Sequence, residues 1–138
     1  MQKMDLTFLL IEDDEIERMK FSRVLKQNKQ SHKVVEAKNG EEALEKLKDT
    51  NNLPDVILLD LNMPRMNGLE FLKVLKADEV LKFIPAVILS TSSNHQDIME
   101  SYKTGIAGYI MKPLKYEDYT TKINSLLTYW SHNELFKN

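Results

Sequence analysis

The sequence contains no cysteine, so it can form neither a disulfide nor a thiolate metal site. It also lacks any apolar stretch approaching the ~20 residues that a membrane-spanning helix needs. The first apolar run, residues 6–11, is too short for the core of a signal peptide, and acidic residues follow it at once. We therefore expect a cytoplasmic protein that does not bind a membrane.

An excess of charge of one sign is also missing. The chain has 19 basic and 21 acidic residues, a formal net charge of −2, which argues against nucleic-acid binding through a basic surface. A length of 138 residues, of which 42% are hydrophobic and 29% charged, suits one globular domain. Because no repeat or linker interrupts it, we expect a single domain over residues 1–138, with its core at about 5–128 and a short aromatic tail at 129–138.

Apolar runs that predict β-strands alternate with segments that predict helices. The predicted strands cover residues 6–11, 34–35, 56–59, 86–89 and 107–111. A segment with helical spacing of apolar residues follows each strand, at residues 14–28, 39–47, 69–75, 96–104 and 116–130. Parallel strands need crossover helices, so this order predicts an α/β fold, a doubly wound five-stranded parallel sheet with five helices on its two faces.

Two of the predicted helices rest on particular residues. The first depends on apolar residues at 16, 19, 21, 24 and 25, which recur at helical spacing. The second begins at Asn39, which is followed three positions later by Glu42, the spacing of a capping box.

Polar side chains follow four of the predicted strands. Glu12 and Asp13 follow the first, Asp60 the third, Ser90 the fourth and Lys112 the fifth. Ligands of such sheets bind outside the carboxyl ends of the strands. The sequence therefore predicts a site with three carboxylates, a hydroxyl and an ammonium group at this edge.

The chemistry of this set indicates phosphoryl transfer to a carboxylate. Three neighbouring carboxylates repel one another, and Mg²⁺, which prefers oxygen ligands, relieves the repulsion. Lys112 offers a positive charge for a phosphate and Ser90 a hydroxyl, while an aspartate can be the nucleophile. Each residue alone is more often a turn former, a helix cap or a solvated surface group than part of a site. The argument rests on their joint occurrence at successive strand ends.

Four stretches of the sequence, residues 9–15, 56–68, 88–91 and 108–113, resemble the receiver domains of two-component response regulators, a CheY-like family. The stretches occur in the order and at the separations of that family, and the resemblance covers residues 5 to 128. It implies a flavodoxin-like sheet with the strand order 2-1-3-4-5.

The resemblance implies a role for each site residue. Asp60 would accept a phosphoryl group from the phosphohistidine of a sensor histidine kinase. Asp13, Asp60 and the backbone carbonyl of Asn62 would bind Mg²⁺, with Glu12 acting through a metal-bound water. Lys112 would pair with the phosphate.

The resemblance also implies a switch. Ser90 would move toward the phosphoryl group, and Tyr109 would turn into the space that it leaves. Asn62 and Ser92 occupy positions that tune phosphoryl lifetime in the family, and an uncharged Ser92 favours a longer lifetime. The bond between Lys112 and Pro113 is expected to be cis, as in the family.

The aromatic tail has two interpretations. Trp130 and Phe136 either cap the core or, with the last helix, form a surface for a homodimer or a partner. The tail and the long connection at residues 75–85 resemble single-domain regulators that accompany bacterial phytochrome-type histidine kinases. The resemblance places protein contacts on the face of helix 4, strand 5 and helix 5, and the downstream partner is unidentified.

Three alternatives fit the sequence less well. A haloacid-dehalogenase-type phosphatase needs a second Asp where Asn62 stands and a nucleophile after the first strand. A flavin-binding protein needs a phosphate-binding loop where Glu12 and Asp13 lie. A degenerate receiver would have lost site residues. We therefore expect a phosphorylation switch without a DNA-binding output domain, not a turnover enzyme, that catalyses only its own phosphotransfer and autodephosphorylation.

Overall fold

The computed structural model describes residues 5–137 and contains one sheet of five parallel strands in the order β2-β1-β3-β4-β5. The strands are β1 Thr7–Ile11, β2 Lys33–Ala37, β3 Val56–Leu59, β4 Ala86–Ser90 and β5 Gly108–Met111. The helices are α1 Glu15–Gln27, α2 Gly40–Lys46, α3 Gly68–Ala77, α4 His95–Thr104 and α5 Tyr116–Ser131. The predicted fold class and strand order are confirmed, while residues 1–4 and 138 of the predicted domain lie outside the described range.

The sheet is buried on both faces because its central strands are apolar throughout. One face packs against α2 and α3 around Leu9, Ile57 and Phe71. The other packs against α1 and α5 around Phe8 and Phe21, together with the apolar side of α5. No helix within residues 5–137 is long and apolar enough to cross a bilayer.

Helix α1 has the predicted bounds but not the predicted buried face. Phe21, Val24 and Leu25 are buried, whereas Ile16 and Met19 are 67% and 57% exposed. At 3.6 residues per turn, positions 16 and 19 lie on the opposite side of the helix from positions 21, 24 and 25. The expectation that these two residues share the apolar face is therefore wrong.

The helix caps were predicted in part. Asn39 accepts the N–H of Glu42 through its side chain at 2.9 Å, as expected. The reciprocal capping box lies instead at α3, where Asn67 and Glu70 each accept the other's backbone N–H, at 2.9 and 3.1 Å. Gly105 ends α4 in the left-handed conformation, with φ of 117°.

The tail folds back across the end of the sheet where the strands begin. Trp130 is half-buried against the core, which supports the capping interpretation for this residue. Phe136 remains 62% exposed, with its ring 4.6 Å from that of Phe83. Lys137 Nζ lies 2.5 Å from Oδ1 of Asp55, a buried carboxylate that precedes β3.

Candidate phosphoacceptor and metal site

Three carboxylates meet at the carboxyl end of the sheet. Glu12, Asp13 and Asp60 each offer an oxygen, and these oxygens lie within 4.8 Å of one another. The strands bring them together because β1 and β3 are neighbours, with the Asp60 N–H bonded to the Ile11 carbonyl at 3.1 Å. Glu12 is buried, Asp60 half-buried and Asp13 exposed.

Lys112 reaches this cluster from the end of β5. Its Nζ donates to Glu12 Oε1 at 2.5 Å, and the two side chains are 6% and 4% exposed. Burial alone lowers the pKa of Lys112, but the hydrogen bond and charge of Glu12 outweigh it, so the pKa is raised and the ammonium stays charged. In this structure the ammonium group of Lys112 is therefore bound to Glu12.

Burial and mutual repulsion disfavour the charged carboxylates. Burial raises the pKa of Glu12 against the opposing effect of Lys112, and the charge of Asp60 raises it further. Burial also raises the pKa of Asp60, although Lys112 and the backbone N–H groups of Asn62 and Leu61 act in the opposite direction. An additional cation would stabilise these carboxylates in their charged form.

Glu12 is fixed by contacts that sequence reasoning missed. Its Oε2 accepts the N–H of Asp14 at 3.2 Å, and its carbonyl oxygen accepts Nη1 of Arg18 at 2.8 Å. Arg18 also lies 3.9 Å from a carboxylate oxygen of Glu36, and its side chain is only 12% exposed. The sequence signal for this contact is the position of Arg18 in the first turns of α1, directly after the acidic run.

The loop after Asp60 packs closely against the acceptor strand. A Cβ on Gly68 would lie 2.6 Å from the Asp60 carbonyl oxygen and 2.8 Å from Leu61 Cα, so only glycine fits. Arg65 adopts the left-handed region with φ of 65° and pairs with Glu41 of α2 at 2.9 Å. These contacts hold the backbone of the loop next to the carboxylates.

Ser90 and Tyr109 lie at neighbouring strands and share a partner. Ser90 is fully buried, and its Oγ accepts the N–H of Ser92 at 3.1 Å. The hydroxyl of Tyr109, which is half-buried, donates to the Ser92 carbonyl at 2.8 Å. The two predicted switch residues are therefore joined through the loop that follows β4.

The bond between Lys112 and Pro113 is trans, so the expected cis bond is wrong for this structure. The trans form is the intrinsically preferred one for a bond to proline, by about 0.5–1 kcal/mol.

The donors of the site fit a divalent cation with a preference for oxygen. All three acidic groups offer carboxylate oxygens at close range, and Asp13 is open to solvent. Hard cations such as Mg²⁺ bind through one or two carboxylates and keep several waters. Asp13 and Asp60 could supply those two carboxylates, with Glu12 beside them.

Comparison with known proteins agrees with this arrangement. The family model described as the response regulator receiver domain matches residues 8–124. Response regulator Rcp1 of Synechocystis sp. is 31% identical over 127 residues, which cover 88% of this chain and 86% of that protein. A probable methanogenesis regulatory protein, FilR2 of Methanothrix harundinacea, is 31% identical over 126 residues, 88% of this chain and 81% of that protein.

Solved structures show the same likeness. The phosphorylated cyanobacterial phytochrome response regulator RcpA superimposes with a TM-score of 0.90 at 32% identity, covering 96% of this chain and 99% of that one. The Mn²⁺-bound form of Rcp1 superimposes with a TM-score of 0.86 at 29% identity, with the same coverage. The chain therefore belongs to the response regulator receiver domain family of two-component signalling.

Proposed function

We propose that this receiver domain is a single-domain phosphorylation switch that accepts a phosphoryl group on Asp60 from the phosphohistidine of a sensor histidine kinase, with Mg²⁺ as cofactor. One observation carries the proposal. Oxygens of Glu12, Asp13 and Asp60 lie within 4.8 Å of one another beside the buried ammonium group of Lys112.

In the proposed reaction, an Asp60 carboxylate oxygen attacks the phosphorus atom. The P–N bond to the donor imidazole breaks, the imidazole leaves with the bonding electrons, and an acyl phosphate remains on Asp60. Asp60 is suited to this role because it is half-buried at a strand end, and the nearby backbone N–H groups of Asn62 and Leu61 lower its pKa and so favour the carboxylate that attacks. Placement of the nucleophile is a large part of catalysis of phosphoryl transfer.

Asp13, Asp60 and the backbone carbonyl of Asn62 would hold the metal ion, with Glu12 acting through a bound water. When bound, Mg²⁺ neutralises charge on the carboxylates and on the phosphoryl oxygens. Glu12 is the longest of the three acidic side chains and is held at both carboxylate oxygens, by Lys112 and by the Asp14 N–H.

Lys112 would exchange partners on phosphorylation. Its ammonium group binds Glu12 in this structure. A phosphoryl group on Asp60 would carry more negative charge than the Glu12 carboxylate and would therefore attract the ammonium group more strongly. The Ser90 hydroxyl would likewise exchange the Ser92 N–H for a phosphoryl oxygen, and Tyr109 would follow. The domain would turn over only its own phosphoryl group and signal through its changed surface.

The likeness to Rcp1 and RcpA supports a phytochrome-type histidine kinase as the partner. A groove of about 600 Å³ between β5 and α5 supports a protein contact, or a homodimer, on the face of α4, β5 and α5. Strand β5 lies at the edge of the sheet, and Tyr129 beside the groove is 61% exposed.

The proposal is tested by intact-mass analysis after incubation with acetyl phosphate, a small phosphoryl donor. We expect the wild type to gain one phosphoryl group in the presence of Mg²⁺ and to gain none when a chelator is present during the incubation. Asp60→Asn should gain nothing, whereas Asp49→Asn, a change at an exposed aspartate, should behave as the wild type. A phosphoryl adduct on Asp60→Asn, or none on the wild type, would contradict the assignment.

A further inference from the structure

Ser92 lies at the centre of a group of hydrogen bonds in the loop between β4 and α4. Its N–H donates to Ser90 Oγ at 3.1 Å, and its carbonyl accepts the hydroxyl of Tyr109 at 2.8 Å. Its own Oγ donates to Asp97 Oδ2 at 2.9 Å and accepts the N–H of Asn94 at 3.3 Å. One short side chain and its backbone thus contact the end of β4, strand β5 and the first turn of α4.

The hydrogen bonds continue from Ser92 into α4. Asp97 lies in the first turn of this helix, and its carbonyl accepts the Oγ of Ser101 at 2.7 Å. Ser101 is fully buried and is the one buried residue of α4. A helix that buries so little apolar surface is held largely by its polar contacts, so a shift of those contacts can move it.

We propose that Ser92 is a positioning residue that couples Ser90 and Tyr109 to the start of α4 through the hydrogen bond from its Oγ to Asp97. The inference rests on the proposed function, since phosphorylation of Asp60 is what would draw Ser90 away from the Ser92 N–H. The loop is then released at one end while its other end stays bound to Asp97, and the first turn of α4 follows the loop.

The chemistry of position 92 matters for this coupling. The hydroxyl of Ser92 donates to a carboxylate, a charge-assisted bond. An acidic residue at the same position would face Asp97 with a like charge and could not donate. The coupling is thus a property of the serine in this chain and of Asp97 together.

The resting protein provides the first test, a double-mutant cycle of Ser92→Ala and Asp97→Ala. Amide hydrogen exchange of residues 95–98 is the measurement, and Ser93→Ala, at the exposed neighbouring serine, is the matched control. We expect each single change to speed exchange by about twofold to tenfold, the equivalent of one net hydrogen bond. The double variant should exchange more slowly than the product of the two single effects predicts, because both changes remove the same bond between Ser92 and Asp97. Additive effects of the two changes would overturn the inference.

The second test compares exchange before and after phosphorylation by acetyl phosphate, with the phosphorylated fraction measured by intact mass in the same sample. Phosphorylation should change the exchange of residues 95–98 in the wild type and in Ser93→Ala. That change should be lost in Ser92→Ala at an equal phosphorylated fraction. A full response in Ser92→Ala would overturn the coupling but leave phosphorylation of Asp60 intact. A wild type without a phosphoryl adduct would overturn the proposed function instead. The double-mutant cycle on the unphosphorylated protein would still test the coupling.

Discussion

Lys112 Nζ lies 2.5 Å from Glu12 Oε1, although the two residues are 100 positions apart in the sequence. Strands β3 and β4 separate β1 from β5 in the sheet, so the pair spans the strand end that carries Asp60. Both side chains are almost completely buried. An ion pair of this kind holds two residues of the site in place, and its loss should have measurable consequences.

Replacement of Lys112 by methionine should destabilise the domain by roughly 3 kcal/mol, because removal of one partner of a buried ion pair leaves the other charge uncompensated. Urea unfolding at neutral pH measures the change. Lys115→Met, at an exposed lysine in the following loop, is the control and should have little effect. Mg²⁺ should recover part of the loss in Lys112→Met. Equal unfolding midpoints for the two variants would contradict the importance of the pair.

The contribution of Asp60 to the stability of the protein without divalent ions should fall as pH rises through the acid range. Burial raises the pKa of Asp60 in the folded state, so the folded protein keeps this proton to a higher pH than the unfolded chain does. This contribution then decreases from about pH 4, where the unfolded carboxyl ionises, up to the higher pKa of the folded state.

Asp60→Asn removes this titration, so the stability of the wild type relative to the variant should fall across that window, and the variant should be the more stable of the two above it. Chemical denaturation at a series of pH values, with a chelator present, measures both effects. If the wild type instead gained stability relative to Asp60→Asn as pH rises, the explanation would be contradicted.

Gly68→Ala should destabilise the domain far more than Gly108→Ala. A Cβ at position 68 would meet backbone atoms of Asp60 and Leu61, which cannot move without disturbing β3. At position 108 the nearest atom to a Cβ is Val87 Cγ1 at 3.9 Å, an ordinary van der Waals contact. We expect a cost of roughly 3 kcal/mol at position 68 and less than about 1 kcal/mol at position 108. Thermal unfolding measures both, and a reversed order would contradict the packing of the loop.

Arg65→Gly should leave the domain as stable as the wild type or stabilise it by about 1 kcal/mol. Arginine pays a cost for the left-handed backbone that glycine avoids. The ion pair with Glu41 that would be lost is exposed and contributes little. Glu41→Gln, which removes the pair but keeps the backbone, separates the two effects by denaturant unfolding. A large loss of stability in Arg65→Gly alone would show that the side chain has another role.

The fold could be predicted because each strand is a short apolar run closed by a polar residue. Asp60 and Ser90 stand directly at such closures, and the carboxyl ends of parallel strands share one edge of the sheet. The sequence therefore indicated which side chains would meet there. The reciprocal cap of α3 by Asn67 and Glu70 was missed, although its residue types and spacing are the usual ones.

The contacts within the site could not be predicted in the same way. Whether Lys112 binds Glu12 or Asp60 depends on side-chain length and on the exact course of two loops, and neither is encoded in local patterns. Arg18 is one of several basic residues of α1, and only the fold turns it toward the carbonyl of Glu12. The expectation for Ile16 and Met19 is wrong because the five apolar residues of α1 do not share one face at 3.6 residues per turn, and only the face with Phe21, Val24 and Leu25 meets the sheet.

The most direct test of the account is to locate the phosphoryl group in the chain. After incubation with acetyl phosphate and Mg²⁺, borohydride reduction converts an aspartyl phosphate to homoserine, which tandem mass spectrometry assigns to a position. The account predicts homoserine at position 60 only when Mg²⁺ is present. Homoserine at Asp13, or at position 60 to the same extent without a divalent ion, would contradict it.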